Sequence, residues 1–228
     1  MEDDPRAVCS PVFHVKHPLT PDAFRALTGI DAATLERLSV YLRLLEKWQP
    51  RINLVGRGSL GDPWRRHMLD SAQLVHLLPE RASIIVDIGS GAGFPGLVIA
   101  IMAHRHVHLV DSDARKCAFL SEAARLTKAL ASVHNQRIEC LQDLKADVVT
   151  ARACAPLPRL LQYAAPLLRP GGRCLFLKGE AAAAELTASE KTWMMHLTRL
   201  QSRSDPSGTI LMVDDLHPRA PRIDDLTN

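Results

Sequence analysis

The sequence predicts an open, doubly wound α/β sheet that ends in an antiparallel hairpin and carries a small helical appendage before it. Three observations predict this. From residue 83 onward, short aliphatic runs alternate with segments of helical period. A glycine-rich turn, VDIGSGAGFPG at residues 86–96, joins the first of those runs to the next helical segment. Between residues 19 and 80 the periodicity is helical. Alternation of strand and helix argues for a mainly parallel sheet with its ligand at the carboxyl ends of the strands.

Each element follows in order. Residues 1–18 carry prolines and charges without periodicity and read as a flexible tail. Residues 19–80 read as the helical appendage. Asp31 starts a helix in which Leu35, Leu38, Leu42 and Leu45 recur at helical spacing, and Pro50 ends it. A second helix is expected over 63–78, with Met68, Leu69, Ala72, Val75 and Leu78 as its apolar positions. Residues 81–228 read as the doubly wound domain. Its strands are expected at 84–87, 107–111, 138–141, 146–150 and 173–178, with helices over 97–103, 114–130, 158–168 and 181–189. Pro170-Gly-Gly172 breaks the chain before the fifth strand. Two late strands, 195–201 and 209–213, flank the turn Asp205-Pro-Ser-Gly208 and suggest the hairpin.

Composition bounds the function. The chain has 228 residues, of which 46% are hydrophobic but only 4% aromatic, so the core is aliphatic. A formal charge of +3 permits a nucleic-acid partner without demanding one. The five cysteines, Cys9, Cys117, Cys140, Cys154 and Cys174, form no C-x-x-C pair and are odd in number. This argues against a disulfide framework or a zinc knuckle and for a reducing compartment. The first residues lack the apolar run of a signal peptide, and the longest fully apolar run, 97–103, is far too short for a bilayer. A cytoplasmic, monomeric protein without metal or membrane attachment is expected.

The glycine turn carries the chemistry. Gly91-x-Gly93-x-x-Gly96 formally matches a dinucleotide fingerprint, which would place a pyrophosphate at the helix start. Asp87, at the end of the first strand, would repel that dianion. S-adenosylmethionine has an ammonium, a sulfonium and no phosphate, so an acid near the turn suits it. Gly89, Gly91 and Gly93 let the backbone approach such a ligand closely. Asp111 ends the second strand 22 residues after Gly89 and can accept both ribose hydroxyls of either cofactor. Asp87 therefore decides for a methyltransferase. The alternatives are a nicotinamide-dependent oxidoreductase and a non-catalytic RNA-binding module that keeps a cofactor fold.

The methyl acceptor is approached by elimination. The segment TARACAPLP at 150–158 lacks the Asp/Asn-Pro-Pro-aromatic pattern of exocyclic-amine methylation. Cys154 lacks the Pro-Cys order of pyrimidine carbon-5 methylation and reads as a small core residue. An acceptor with a ready lone pair remains, such as ring nitrogen 7 of guanine, which needs no general base. Arg152 could touch the cofactor or the O6 edge of guanine, and is the one possible catalytic residue; its plainer reading is a surface ion pair. Between Arg43 and His67 there are six Lys/Arg against two acids. Arg51, Arg57, Arg65 and Arg66 are candidate phosphate contacts, with Trp48 and Trp64 read as core. His67 and Asp70, three apart, could pair with each other. His104, His106 and His108 are read as incidental.

Several stretches taken together resemble the bacterial 16S rRNA guanine-N(7) methyltransferases, the glucose-inhibited division protein B family. They are LEKWQPRINL at 45–54, WRRHMLDS at 64–71, residues 86–96, LVDS at 109–112, TARACAPLP at 150–158, and Pro170-Gly-Gly172 through Lys178-Gly179. The match runs in order over roughly 35–180. It implies a class I S-adenosylmethionine-dependent, Rossmann-like fold and methylation of a guanine in the decoding region of 16S rRNA or the small ribosomal subunit. It also implies that Gly89 and Phe94 contact the cofactor, that Asp111 holds the ribose and that Arg152 belongs to the cofactor site. The family's Arg-Ala-Glu segment is matched by Arg137-Ile-Glu139, which brings Ile138 and Glu139 to the adenine side. Ile stands there in place of the small residue, and no glycine precedes the arginine.

Overall fold

The computed structural model describes residues 17–141 and 144–219, apart from the Arg57 side chain. Residues 1–16, most of the expected tail, lie outside the described residues. Helix α1 (Pro21–Thr28) starts where the Thr20 hydroxyl accepts the Ala23 N–H, and it ends on Gly29 in the left-handed conformation. Helix α2 (Ala32–Trp48) is capped by Asp31 and buries Leu38, Tyr41, Leu42 and Leu45 along one stripe. The segment expected as one helix over 63–78 is instead a π-turn (Trp64–Leu69), one turn of α-helix, α3 (Asp70–Ala72), and a 3₁₀ turn (Val75–Leu77). A π-turn inserts a residue into the helical repeat and re-aims the side chains that follow it. His67 and Asp70 owe their direction to it.

The sheet has seven strands: β1 (Ile85–Ile88), β2 (Val107–Asp111), β3 (Ala131–Asn135), β4 (Ala146–Arg152), β5 (Leu168–Lys178), β6 (Trp193–Gln201) and β7 (Thr209–Pro218). Their spatial order is β3-β2-β1-β4-β5-β7-β6. The first five pair in parallel, and β7 inserts antiparallel between β5 and β6. The third strand lies earlier than the expected 138–141, where the chain makes a 3₁₀ turn (Ile138–Cys140). The reason is physical. β3 is an edge strand, half-buried along most of its length, so it carries Ser132 and His134 rather than an aliphatic run.

Helices α4 (Gly96–Ala103) and α5 (Ala114–Thr127) cover one face of the sheet; α6 (Leu157–Ala164) and α7 (Ala182–Ser189) cover the other. The first face shares its core with the N-terminal helices: Leu38, Tyr41 and Leu45 pack among Leu97, Ile99, Leu109 and Phe119. Trp64 is buried against Phe24 at 5.2 Å, and Trp48 is half-buried against Phe119 at 5.8 Å, so both tryptophans serve the core. Arg37 fastens α2 to both neighbours. Its guanidinium donates to the carbonyls of Thr127 (2.7 Å), Lys128 (3.1 Å) and Ile101 (3.4 Å), at the C-terminal ends of α5 and α4. Those carbonyls have no partner within their helices, so a cation there satisfies them and complements the helix dipoles. On the opposite face His106 stacks on His108, whose Nδ1 lies 2.9 Å from His134 Nε2. No helix among the described residues is long and apolar enough to cross a membrane.

Candidate active site

The carboxyl ends of β1, β2 and β4 open onto a cavity of about 650 Å³. That lies within the ~300–1,000 Å³ of small-molecule and cofactor sites. The glycine turn forms its floor. Gly89, Gly91 and Gly93 take φ values of +64°, +58° and +94°, which side chains rarely adopt. A Cβ on Gly89 would lie 2.1 Å from the Cys154 sulfur, so that glycine lets the β4 end approach the turn. A Cβ on Gly93 would meet the Tyr41 hydroxyl at 2.8 Å. That hydroxyl donates to the Ala92 carbonyl, which ties the turn to α2.

Asp111 lines the cavity. Its Oδ2 accepts the Gly91 N–H and its Oδ1 the Asp113 N–H, both at 2.8 Å. Each oxygen keeps a further lone pair for a ligand hydroxyl. Ile138 and Glu139 stand on the rim in the 3₁₀ turn after β3, with Glu139 also 3.3 Å from Arg159. Gly89, Gly91, Phe94 and Arg152 complete the set of expected site residues that the cavity brings together; Gly93 is buried behind it.

Asp87 lies elsewhere than the sequence alone suggests. Its carboxylate is fully buried beneath the turn and does not line the cavity. The Thr150 hydroxyl donates to Oδ1 at 2.7 Å, while Oδ2 completes no hydrogen bond among the described residues. Burial pushes its pKa up to about 6, partly offset by the Thr150 and Ser90 hydroxyls, the Gly96 amide and the charge on Arg152. It remains mostly an anion at neutral pH. Cys154 is half-buried; burial and the nearby Asp87 and Asp111 raise its pKa, so it stays a thiol rather than a nucleophile.

One wall of the cavity is a polar cluster that sequence reasoning divided wrongly. His67 and Asp70 do not pair with each other; both turn to Arg152. The Arg152 guanidinium donates to His67 Nδ1 (3.0 Å), the Arg66 carbonyl (3.0 Å) and Asp70 Oδ2 (3.3 Å), and it lies 4.7 Å from the centre of the Phe94 ring. Because a guanidinium only donates, His67 carries its proton on Nε2 and gives it to Ser59 Oγ at 2.8 Å. Burial first, then Arg152 and Arg66, hold the His67 pKa down to about 3. Its ring stacks on Phe94 at 4.8 Å. Asp70 is held from the far end of the chain, where the Ser204 hydroxyl donates to Oδ1 at 2.6 Å. The i, i+3 spacing of His67 and Asp70 was the signal for this wall, but nothing local shows that Arg152 would compete for both.

Among the candidate phosphate contacts, Arg51 is exposed and the Arg57 side chain lies outside the described residues. Arg65 pairs with Asp62 at 2.9 Å, and Arg66 pairs with Asp205 at 2.9 Å on the cavity edge.

Comparison with known proteins agrees with this geometry. A family model described as rRNA small subunit methyltransferase G matches residues 34–207. A protein of that name from Rhodospirillum rubrum is 53% identical over 199 residues, covering 87% of this chain and 99% of its own. One from Paramagnetospirillum magneticum is 56% identical over 191 residues, covering 84% and 93%. Among solved structures, a class I S-adenosylmethionine-dependent methyltransferase, so described, from Listeria monocytogenes superposes with a TM-score of 0.60 at 13% identity, covering 88% of this chain and 76% of its own. A protein described as an O-methyltransferase from Klebsiella pneumoniae gives 0.55 at 14% identity, covering 84% and 93%. At such identities these two speak to the fold alone.

Proposed function

This chain belongs to the rRNA small subunit methyltransferase G family, and from that premise we propose that it methylates ring nitrogen 7 of a guanine in the decoding region of 16S rRNA, using S-adenosylmethionine. The single observation that carries the cofactor assignment is the cavity over β1 and β2. It is floored by glycines, has Asp111 placed for a ribose, and has a buried acid rather than an anion-binding surface beneath the turn. These residues fit a cationic adenosine ligand and disfavour a pyrophosphate.

When bound, the sulfonium supplies an electrophilic methyl, whose bond to sulfur breaks as a bond to N7 forms. The chain's own residues orient the reactants and exclude water. Asp111 holds the ribose through its free lone pairs, with Ile138 and Glu139 beside the adenine. Phe94, with the His67 ring and the Arg152 guanidinium both packed against it, shields the inner wall. No side chain has to remove a proton, because the N7 lone pair is already free. The weakly basic His67, whose Nδ1 lone pair is taken by Arg152, and the thiol Cys154 are consistent with a site that lacks a general base. Arg51 and Arg66, on residues 19–80, would meet rRNA phosphates, with Arg66 exchanging its Asp205 partner for one.

The test is methyl transfer from labelled S-adenosylmethionine to small-subunit rRNA, and to particles, that lack the mark. The product base is identified by nucleoside mass spectrometry. 7-Methylguanosine in the decoding region is the expected product; transfer to another base or position would overturn the assignment.

A further inference from the structure

A second cavity, of about 210 Å³, adjoins the first where β4 and β5 end against the hairpin turn. It is smaller than the usual small-molecule site, so it suits one ring system rather than a whole cofactor. Asp70, Arg152, Ala153 and Asp205 line both cavities. A group bound in the small cavity therefore reaches the large one past the Arg152–Asp70 pair. The donors and acceptors of that pair are unevenly used. Arg152 has five N–H groups. Two on Nη1 meet the Arg66 carbonyl and Asp70, and one on Nη2 meets His67; among the described residues Nε–H and the second Nη2–H meet nothing. Asp70 Oδ1 is fully engaged by Ser204 and Gln73, whereas Oδ2 has only the long 3.3 Å contact. The pair is about 17% exposed on each side chain, dry enough for its hydrogen bonds to discriminate.

Resting on the proposed rRNA guanine activity, we propose that the small cavity receives the acceptor base, with Arg152 donating to O6 and Asp70 accepting from N1–H. A spare donor beside a spare acceptor matches the O6/N1–H edge of guanine. Adenine inverts both positions, placing a donor against Arg152 and a lone pair against Asp70. In this pose N7, the neighbour of O6 on the side away from N1, faces the larger cavity. The base must leave its stack to enter, as in other enzymes that act on a base within folded nucleic acid. Asp70 is thus a specificity-determining residue, a role that its pairing with His67 in the sequence does not suggest.

The experiment compares two small subunits assembled from ligated rRNA, one with guanosine at the acceptor position and one with 2-aminopurine. The latter keeps N7 but lacks O6 and N1–H. Single-turnover transfer is measured for the wild type, Asp70→Ala and Asp70→Asn, with cofactor titration to confirm that each variant folds. The wild type should prefer guanosine. In both variants that preference should fall roughly 10- to 100-fold, the worth of one good base contact, because the carboxylate no longer repels the N1 lone pair. An equal loss on both substrates would mean that Asp70 only supports the wall, and would overturn the proposal alone. Absence of transfer to any small-subunit guanosine by a wild type that binds cofactor would overturn it together with the function it rests on.

Discussion

Replacing Asp87 with asparagine separates the electrical role of this acid from its shape. Asparagine keeps the volume and can still accept from the Thr150 hydroxyl, but it carries no charge. The folded pKa of Asp87 is about 6 against an ordinary 3.8. A carboxyl raised in this way binds its proton more tightly folded than unfolded, so its contribution to stability is lost as pH rises from 3.8 through 6. At one pKa unit per ~1.4 kcal/mol the ionised group costs about 3 kcal/mol at neutral pH, and about 2 kcal/mol of that develops between about pH 4.5 and about pH 7.5. Urea unfolding of Asp87→Asn and wild type at those two pH values should show the variant gaining ~2 kcal/mol relative to wild type on going to the higher pH. Any fixed cost of the new amide cancels in that comparison. Cofactor affinity should move the other way, weakening roughly ten-fold at neutral pH as one screened charge is removed from beneath the turn. A stability difference that does not change with pH would refute the burial account; unchanged affinity would refute the electrostatic one.

Arg37→Met should lower stability by about 2 kcal/mol, a fall in Tm of ~4–8 °C by circular dichroism, because the end carbonyls of α4 and α5 lose a shared charged donor. A change below about 1 °C would show those carbonyls to be satisfied otherwise. His67 should show only the neutral Nε2–H tautomer in its ring nitrogen resonances from about pH 5 to about pH 8, since its folded pKa lies well below the ordinary 6.5. With the unfolded chain binding the extra proton, His67 adds stability above 6.5 that disappears as pH falls toward 3. An imidazolium signal at about pH 6 would contradict the arrangement with Arg152.

What the sequence makes legible follows where the physics is local. Strands β1, β2 and β4 are aliphatic because both of their faces are covered, so they stand out; β3 has an open edge and does not. The glycine turn is legible because positive φ and close approach leave few residues to choose from. Asp111 is legible because it ends a strand beside that turn. The polar wall is harder to read, because it joins residues 66–70 to 152 and 204 across the fold. Asp87 shows the same limit: its place in the chain shows that an acid lies at the turn, but only packing shows that it lies beneath it.

The stitching of Asp70 to Ser204 and of Arg66 to Asp205 has a consequence for synthesis. The glycine turn, Asp111 and Arg152 have all left the ribosome well before the hairpin turn that braces Asp70 and Arg66. A chain stopped before Ser204 would hold the cofactor floor without the brace on Asp70. On the role proposed for Asp70, competence to read the base arrives only once the β6–β7 turn has been made, so copies ending before Ser204 should mark nothing.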